Sequence, residues 1–109
     1  MNELAAVIPF RAKAGSGEEV ARLIASVLPH VEDEAGTTTW LVLRSEADPD
    51  PDLIFLVDLF ANPESRNAHM SGQAAKLILA SVPPLLAESP SIHPATIVAR
   101  KPASGRGDR

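Results

Sequence analysis

The 109-residue sequence predicts an α+β domain of element order βαββαβ, and three observations carry that prediction. Between Val20 and Val31 the apolar residues are spaced 3, 1, 3, 1 and 3 apart, one face of an amphipathic helix. Two apolar and β-branched runs, residues 37–44 and 53–61, flank a short acidic turn containing Pro49 and Pro51, as the two arms of a hairpin do. Asn62-Pro63 then opens a second helix, and a last apolar run follows the Pro83-Pro84 stop.

The first strand covers residues 3–12, and Pro9, which has no N–H, belongs at an edge, near a strand end or at a bulge. Residues 13–17 form a turn in which Ser16 can N-cap the first helix, with Glu19 completing a capping box. Glu18 and Glu19 also suit the positive end of the helix dipole. That helix runs to Val31, and at Pro29 it is expected to kink or to continue as a loose last turn. Glu32, Asp33 and Glu34 oppose the dipole at its C-terminus before Gly36 ends the segment. Strand two spans 37–44, residues 46–52 turn, and strand three spans 53–61. Asn62 caps the second helix, Gly72 interrupts it, and residues 73–82 continue it. Strand four spans 92–101. The domain is thus 1–101, with a polar tail at 102–109 expected to be disordered. Right-handed crossovers turn this order into a four-stranded antiparallel sheet with both helices on one face, the ferredoxin-like arrangement.

Composition narrows the function. The chain has no Cys, which excludes disulfides, thiolate nucleophiles and Cys-based metal sites, and no Tyr to act as a phenolic acid or base. No apolar run approaches the roughly 18 residues that span a bilayer, and no leader precedes the first strand, so a cytoplasmic location without membrane contact is expected. Residues 1–99 hold six basic against thirteen acidic side chains. Such a body repels phosphate backbones, which argues against nucleic acid as a partner.

The strands are apolar on both faces. In strand three Leu53, Phe55, Val57 and Leu59 alternate with Ile54, Leu56 and Phe60; in strand two Leu41 and Leu43 alternate with Trp40 and Val42. Strand one sets Ala5 and Val7 against Leu4, Ile8 and Phe10, and strand four sets Ile92, Thr96 and Val98 against Ala95, Ile97 and Ala99. A sheet with one wet face alternates apolar and polar residues, and this one does not. Two helices cover one face only. Burying about 500 Å² of the other is worth on the order of 10 kcal/mol before association entropy, so a homodimer through the open sheet face is expected.

The Gly-rich turn at 14–17, Glu34-Ala-Gly-Thr37, Trp40, the run Phe55-Leu-Val-Asp58-Leu-Phe60-Ala-Asn62, and His69 with Ser71 together resemble the antibiotic biosynthesis monooxygenase domain, a dimeric α+β barrel family. The likeness covers residues 3–101. It implies cofactor-independent oxygenation of a phenolic or quinol polycyclic aromatic, in which the protein helps deprotonate the substrate and the substrate carbanion reduces O2. The family pattern of an acid in strand three, an aromatic two residues on and a helix His falls on Asp58, Phe60 and His69. A second helix His, frequent in the family, is replaced here by Gln73 and Ala74. Strand one has no Asn beyond Asn2, and near its end strand three offers Phe60 where haem-degrading relatives carry a Trp, which argues against that branch.

On this basis His69 is the candidate general base, its ordinary pKa near 6.5 suiting an acidic phenol, and Asp58 the candidate orienter. Trp40 and Phe60 are candidate pocket walls, and Asn67 and Arg66 candidate hydrogen-bond donors to a substrate oxygen. Each has a structural alternative: a helix-anchoring His, an Asp58 ion pair with Arg44 or Arg66, a core or interface Trp, and solvated helix residues. The alternation Glu46, Asp48, Asp50, Asp52 lacks the Gly and closing Glu of a calcium loop, and Arg106-Gly-Asp108 is a chance tripeptide, so no metal is expected. A non-catalytic dimeric ligand-binding or stress-response module on the same fold is the alternative function.

Overall fold

In the computed structural model, which describes residues 4–47 and 52–101, the chain orders its elements as β1 (Leu4–Arg11), α1 (Gly17–Ala25), α2 (Leu28–Glu32), β2 (Thr37–Arg44), β3 (Leu53–Phe60), α3 (Pro63–Met70), α4 (Gln73–Ser81) and β4 (His93–Thr96). A 3-10 turn at Pro83–Leu85 precedes β4. The strands form one antiparallel sheet in the order β2-β3-β1-β4, the α+β ferredoxin-like arrangement. The hairpin turn with Asp48 and Asp50, and the tail with its Arg106-Gly-Asp108, lie outside the described residues.

Strand register sorts the side chains. Ala6, Ile8 and Phe10 from β1, Ala12 just after it, and Ile54, Leu56, Asp58 and Phe60 from β3 are buried beneath the helices. Val20 and Ile24 of α1, Val31 of α2, and Ala74 and Ile78 of α4 meet them from above. On the opposite face the cross-strand rows Val7–Val57–Leu41 and Pro9–Phe55–Leu43 are apolar throughout. No element of the described chain covers that face, and Leu41 and Leu43 remain 47% and 45% exposed.

Pro9 sits inside β1, a central strand, yet at a place where the ladder needs no donor. Ala12 N–H bonds to Asp52 O, which fixes the parity: even residues of β1 face β3 and odd residues face β4. β4 pairs only with Leu4 through Val7, and Arg11 O is met instead by Ala87 N–H. Pro9 falls in the gap between them, so its missing N–H costs nothing.

Three expectations are corrected. Strand four is four residues long, not ten, and Val98, expected on a sheet face, is 97% exposed. The first helix does not kink at Pro29 but breaks after Ala25 and restarts at Leu28. Pro29 then lies in a first turn, where its absent N–H has no intrahelical partner to lose. Ser16 occupies the N-cap position without a side-chain bond. The carboxylate of Asp52, at the mouth of β3, caps α1 instead, accepting from Gly17 N–H at 2.8 Å and Gly15 N–H at 3.1 Å. Gly15 makes that turn possible with φ +82°, and Glu19 pairs with Arg22 rather than reaching back to the cap.

Candidate active site

Two local features carry His69 and Glu34 to each other. Asn62 Oδ1 accepts from Ser65 N–H at 2.8 Å, and Pro63 sets the first turn, so α3 starts at a fixed point after β3. Seven residues into α3, the side chain of His69 turns inward and is buried. The loop from α2 to β2 packs tightly on the same helix: Ala61 N–H bonds to Gly36 O, and a Cβ built on Gly36 would lie 2.0 Å from Ser65 Oγ. Only a residue without a side chain allows that approach. It brings Glu34, two residues earlier, against the imidazole.

His69 is thereby set between two carboxylates. Nδ1 lies 2.5 Å from Glu34 Oε1, and Nε2 lies 3.1 Å from Asp58 Oδ2. Thr37 Oγ1 donates to the same Glu34 oxygen at 2.9 Å. The Phe60 ring lies under the imidazole with centroids 5.3 Å apart and planes inclined by 46°. The Asp58 contact is an ion-pair approach without hydrogen-bond alignment, and neither Asp58 oxygen has a hydrogen-bond partner.

The electrostatics follow from this geometry. Burial raises the Asp58 pKa, the nearby Glu34 charge adds to the rise, and the His69 imidazolium opposes it only in part. For His69, burial pulls downward, but its contacts with Asp58 and Glu34 outweigh that, and the net pKa is above the ordinary value. Asp58 and His69 therefore each hold a proton more tightly than they do in water.

Asp58 and His69 form the polar end of a pocket of about 410 Å³ between sheet and helices. Ile8, Phe10 and Leu56 supply its sheet wall, and Met70, Ala75, Ile78 and Leu79 its helix wall. Pro90, Ile92 and Pro94 close the remaining side. Arg66 and Asn67 also line it, and Arg66 Nη1 donates to Ala5 O at 3.3 Å. Glu34 is absent from this lining. It faces a separate cleft of about 360 Å³ bounded by His30, Asp33, Gly36, Thr37 and Gly72.

Of the residues singled out from sequence, Asp58, His69, Arg66 and Asn67 thus meet at one pocket. Trp40 and Phe60 do not line it: Phe60 is fully buried beneath His69, and Trp40, half-buried on the edge strand β2 opposite Asp58, packs against the core with β3 between it and β1. Asp58 pairs with neither Arg44 nor Arg66 but with His69. The residue missed from sequence is Glu34. Its signal is an acid at a helix C-terminus, where the dipole disfavours it, beside a glycine that permits close approach.

The architecture matches known structures over nearly its full length. A protein of unknown function from Nitrosomonas europaea is 34% identical, with a TM-score of 0.82 over 93% of this chain and 94% of that one. A protein from Shewanella oneidensis is 23% identical, with a TM-score of 0.77 over 88% and 91%. A protein from Caulobacter crescentus, provisionally named an antibiotic biosynthesis monooxygenase, is 17% identical, with a TM-score of 0.78 over 90% and 92%. At 23% and 17% identity the likeness is one of fold. No protein-family model and no curated protein matches the sequence.

Proposed function

We propose, for a chain that belongs to one family with the Nitrosomonas europaea protein and has the antibiotic biosynthesis monooxygenase fold, that it oxygenates a phenolic or quinol polycyclic aromatic with O2 and no cofactor. The observation that carries this reading is the buried Asp58–His69 pair at the end of an apolar pocket, with Glu34 holding the far imidazole nitrogen. A flat aromatic body suits the aliphatic and aromatic walls, and its hydroxyl is directed to the polar end.

In this reading the Asp58–His69 pair is the base. Glu34, not Asp58, is the orienter, because it holds Nδ1 while Asp58 stands at the pocket side. Removal of the substrate's proton leaves an electron-rich anion. The anion transfers electrons to O2 and forms a carbon–oxygen bond; protonation and loss of water then leave a carbonyl. For anthrone the balance is anthrone plus O2 giving anthraquinone plus water, with every electron supplied by the ring. Arg66 and Asn67 stabilise the developing oxyanion from the pocket rim.

The same chain acts as a homodimer that buries the face of Val7, Leu41, Leu43, Phe55, Val57 and Leu59 against its copy, and works in the cytoplasm. No helix among the described residues is long and apolar enough to cross a membrane. The test is incubation with anthrone in air, following anthraquinone by absorbance. His69→Ala is expected to lower kcat about 100-fold, the scale of a positioned base; an unchanged rate removes His69 from the mechanism. Saturable anthrone binding without turnover would assign the ligand-binding alternative.

A further inference from the structure

We infer that Asp58, His69 and Glu34 form a proton conduit joining the inner pocket to the outer cleft, with Glu34 as its solvent-side terminus; the inference rests on the reading of the inner pocket as a site of proton abstraction. Among the described residues His69 alone lines both cavities, whereas Asp58 lines only the inner one and Glu34 only the outer. Each imidazole nitrogen faces the carboxylate of one side. Imidazole can take a proton at one nitrogen while releasing one from the other.

The inner end needs such an exit. Asp58 is fully buried, so a ligand filling the pocket cuts it off from water. The Glu34 side chain keeps 22% of its surface exposed on the far side. Thr37 and His69 share its Oε1. Its Oε2 is turned toward Gly72, where a Cβ would stand only 3.3 Å away, so the glycine leaves that oxygen open to the cleft. The other titratable groups bordering the path are His30 and Asp33 in the outer cleft and Arg66 in the inner pocket.

The proton balance closes. A ligand hydroxyl, or in anthrone the acidic ring CH2, loses its proton to Asp58 and keeps the electron pair. With the imidazole hydrogen on Nδ1, the Asp58 carboxyl protonates Nε2, Nδ1 protonates Glu34, and Glu34 releases the proton to water. Both carboxylates are again anionic, and the imidazole hydrogen now sits on Nε2. When O2 has added to the substrate, its outer oxygen needs a proton. Passage inward, from Glu34 to Nδ1 and from Nε2 to Asp58, supplies it and returns the hydrogen to Nδ1.

Glu34→Gln separates conduction from orientation, because the amide oxygen still accepts from Nδ1–H but cannot carry a proton. Two measurements on the full chain decide the matter. Hydrogen exchange of the His69 Nδ1–H, read by 15N NMR without ligand, is expected to slow at least ten-fold in E34Q and to stay near the wild-type rate in D58N. With anthrone, E34Q is expected to lose at least ten-fold in kcat with KM within two-fold, and formate, small enough for the outer cleft, is expected to restore part of the loss. Unchanged exchange or unchanged kcat in E34Q overturns the conduit, as does a kcat loss that formate leaves untouched. Should wild-type protein fail to oxidise anthrone, the oxygenase reading falls and the exchange measurement alone judges the conduit. If E34Q does not fold, Glu34→Ala, which removes the carboxylate altogether, takes its place; exchange at the wild-type rate there overturns the conduit equally.

Discussion

Asp58→Asn distinguishes a carboxylate held for chemistry from one held for stability. Asp58 is fully buried, neither of its oxygens has a hydrogen-bond partner, and burial raises its pKa against the pull of His69. A buried polar atom without a partner costs about 1–3 kcal/mol, and more when it is charged; the attraction of a single imidazolium returns part of this. Asn keeps the shape and removes the charge. The native protein holds the Asp58 proton above the unfolded value of 3.8, so the ionised side chain weighs increasingly against the fold as pH rises from there through the folded value. At about pH 8.5 the variant is therefore expected to gain about 1 kcal/mol. At about pH 5.5 an imidazolium would lose its anion, and the gain shrinks or reverses. Urea unfolding at both pH values, at one protein concentration and with unchanged slope, measures this. In the anthrone assay the same variant is expected to lose kcat about 100-fold. A destabilisation above about 2 kcal/mol at the higher pH refutes the reasoning, because it is the signature of a broken structural ion pair.

Asp52→Ala removes the cap of α1 and is expected to cost about 1–2 kcal/mol by thermal or urea unfolding, whereas Ser16→Ala, with no side-chain bond to lose, costs much less. Gly36→Ala drives a methyl into Ser65 and is expected to destabilise by roughly 1–3 kcal/mol, with Ser65→Gly recovering most of the loss in the double variant. The raised His69 pKa contributes stability that is complete below the unfolded value near 6.5 and is lost as pH rises through the folded value; the thermal midpoint should fall over that interval, and His69→Gln should flatten the fall. Leu41→Arg places a charge on the uncovered sheet face, and sedimentation velocity is expected to show a monomer in place of the dimer proposed for the wild type.

Much of the fold is legible because local signals and sheet alternation agree. Asn62-Pro63 marks the start of α3, Gly72 its end, and the two-sided strands follow from residue parity alone. The strand that failed was β4, since a run of Ile, Ala, Thr and Val has strand propensity whether or not a neighbour is present to pair with it, and β1 is paired there over only four residues. The cap of α1 failed for a related reason. Ser16 and Glu19 form a local motif, whereas Asp52 is 35 residues distant from Gly17 and reaches it only through the β1–β3 register. The site was half legible. Asp58 stands out as an acid in an apolar strand, and His69 follows from the same family likeness. Glu34 looked like one member of an acidic helix end, and nothing linear in the sequence ties it to a histidine 35 positions away.

The gap at Pro9 also has a bearing on how this scaffold changes over evolutionary time. Ala87 is anchored to Arg11 and His93 to Val7, so the five residues between them, 88–92, bridge the break in the sheet edge as a free-standing arch. Pro90 and Ile92 of that arch border the pocket. Insertions or deletions there alter the span of the arch while leaving the sheet register, the core and the Asp58–His69–Glu34 set in place. In the proposed function, ligand size and proton chemistry are thus assigned to separate parts of the chain, so that one can change without rebuilding the other.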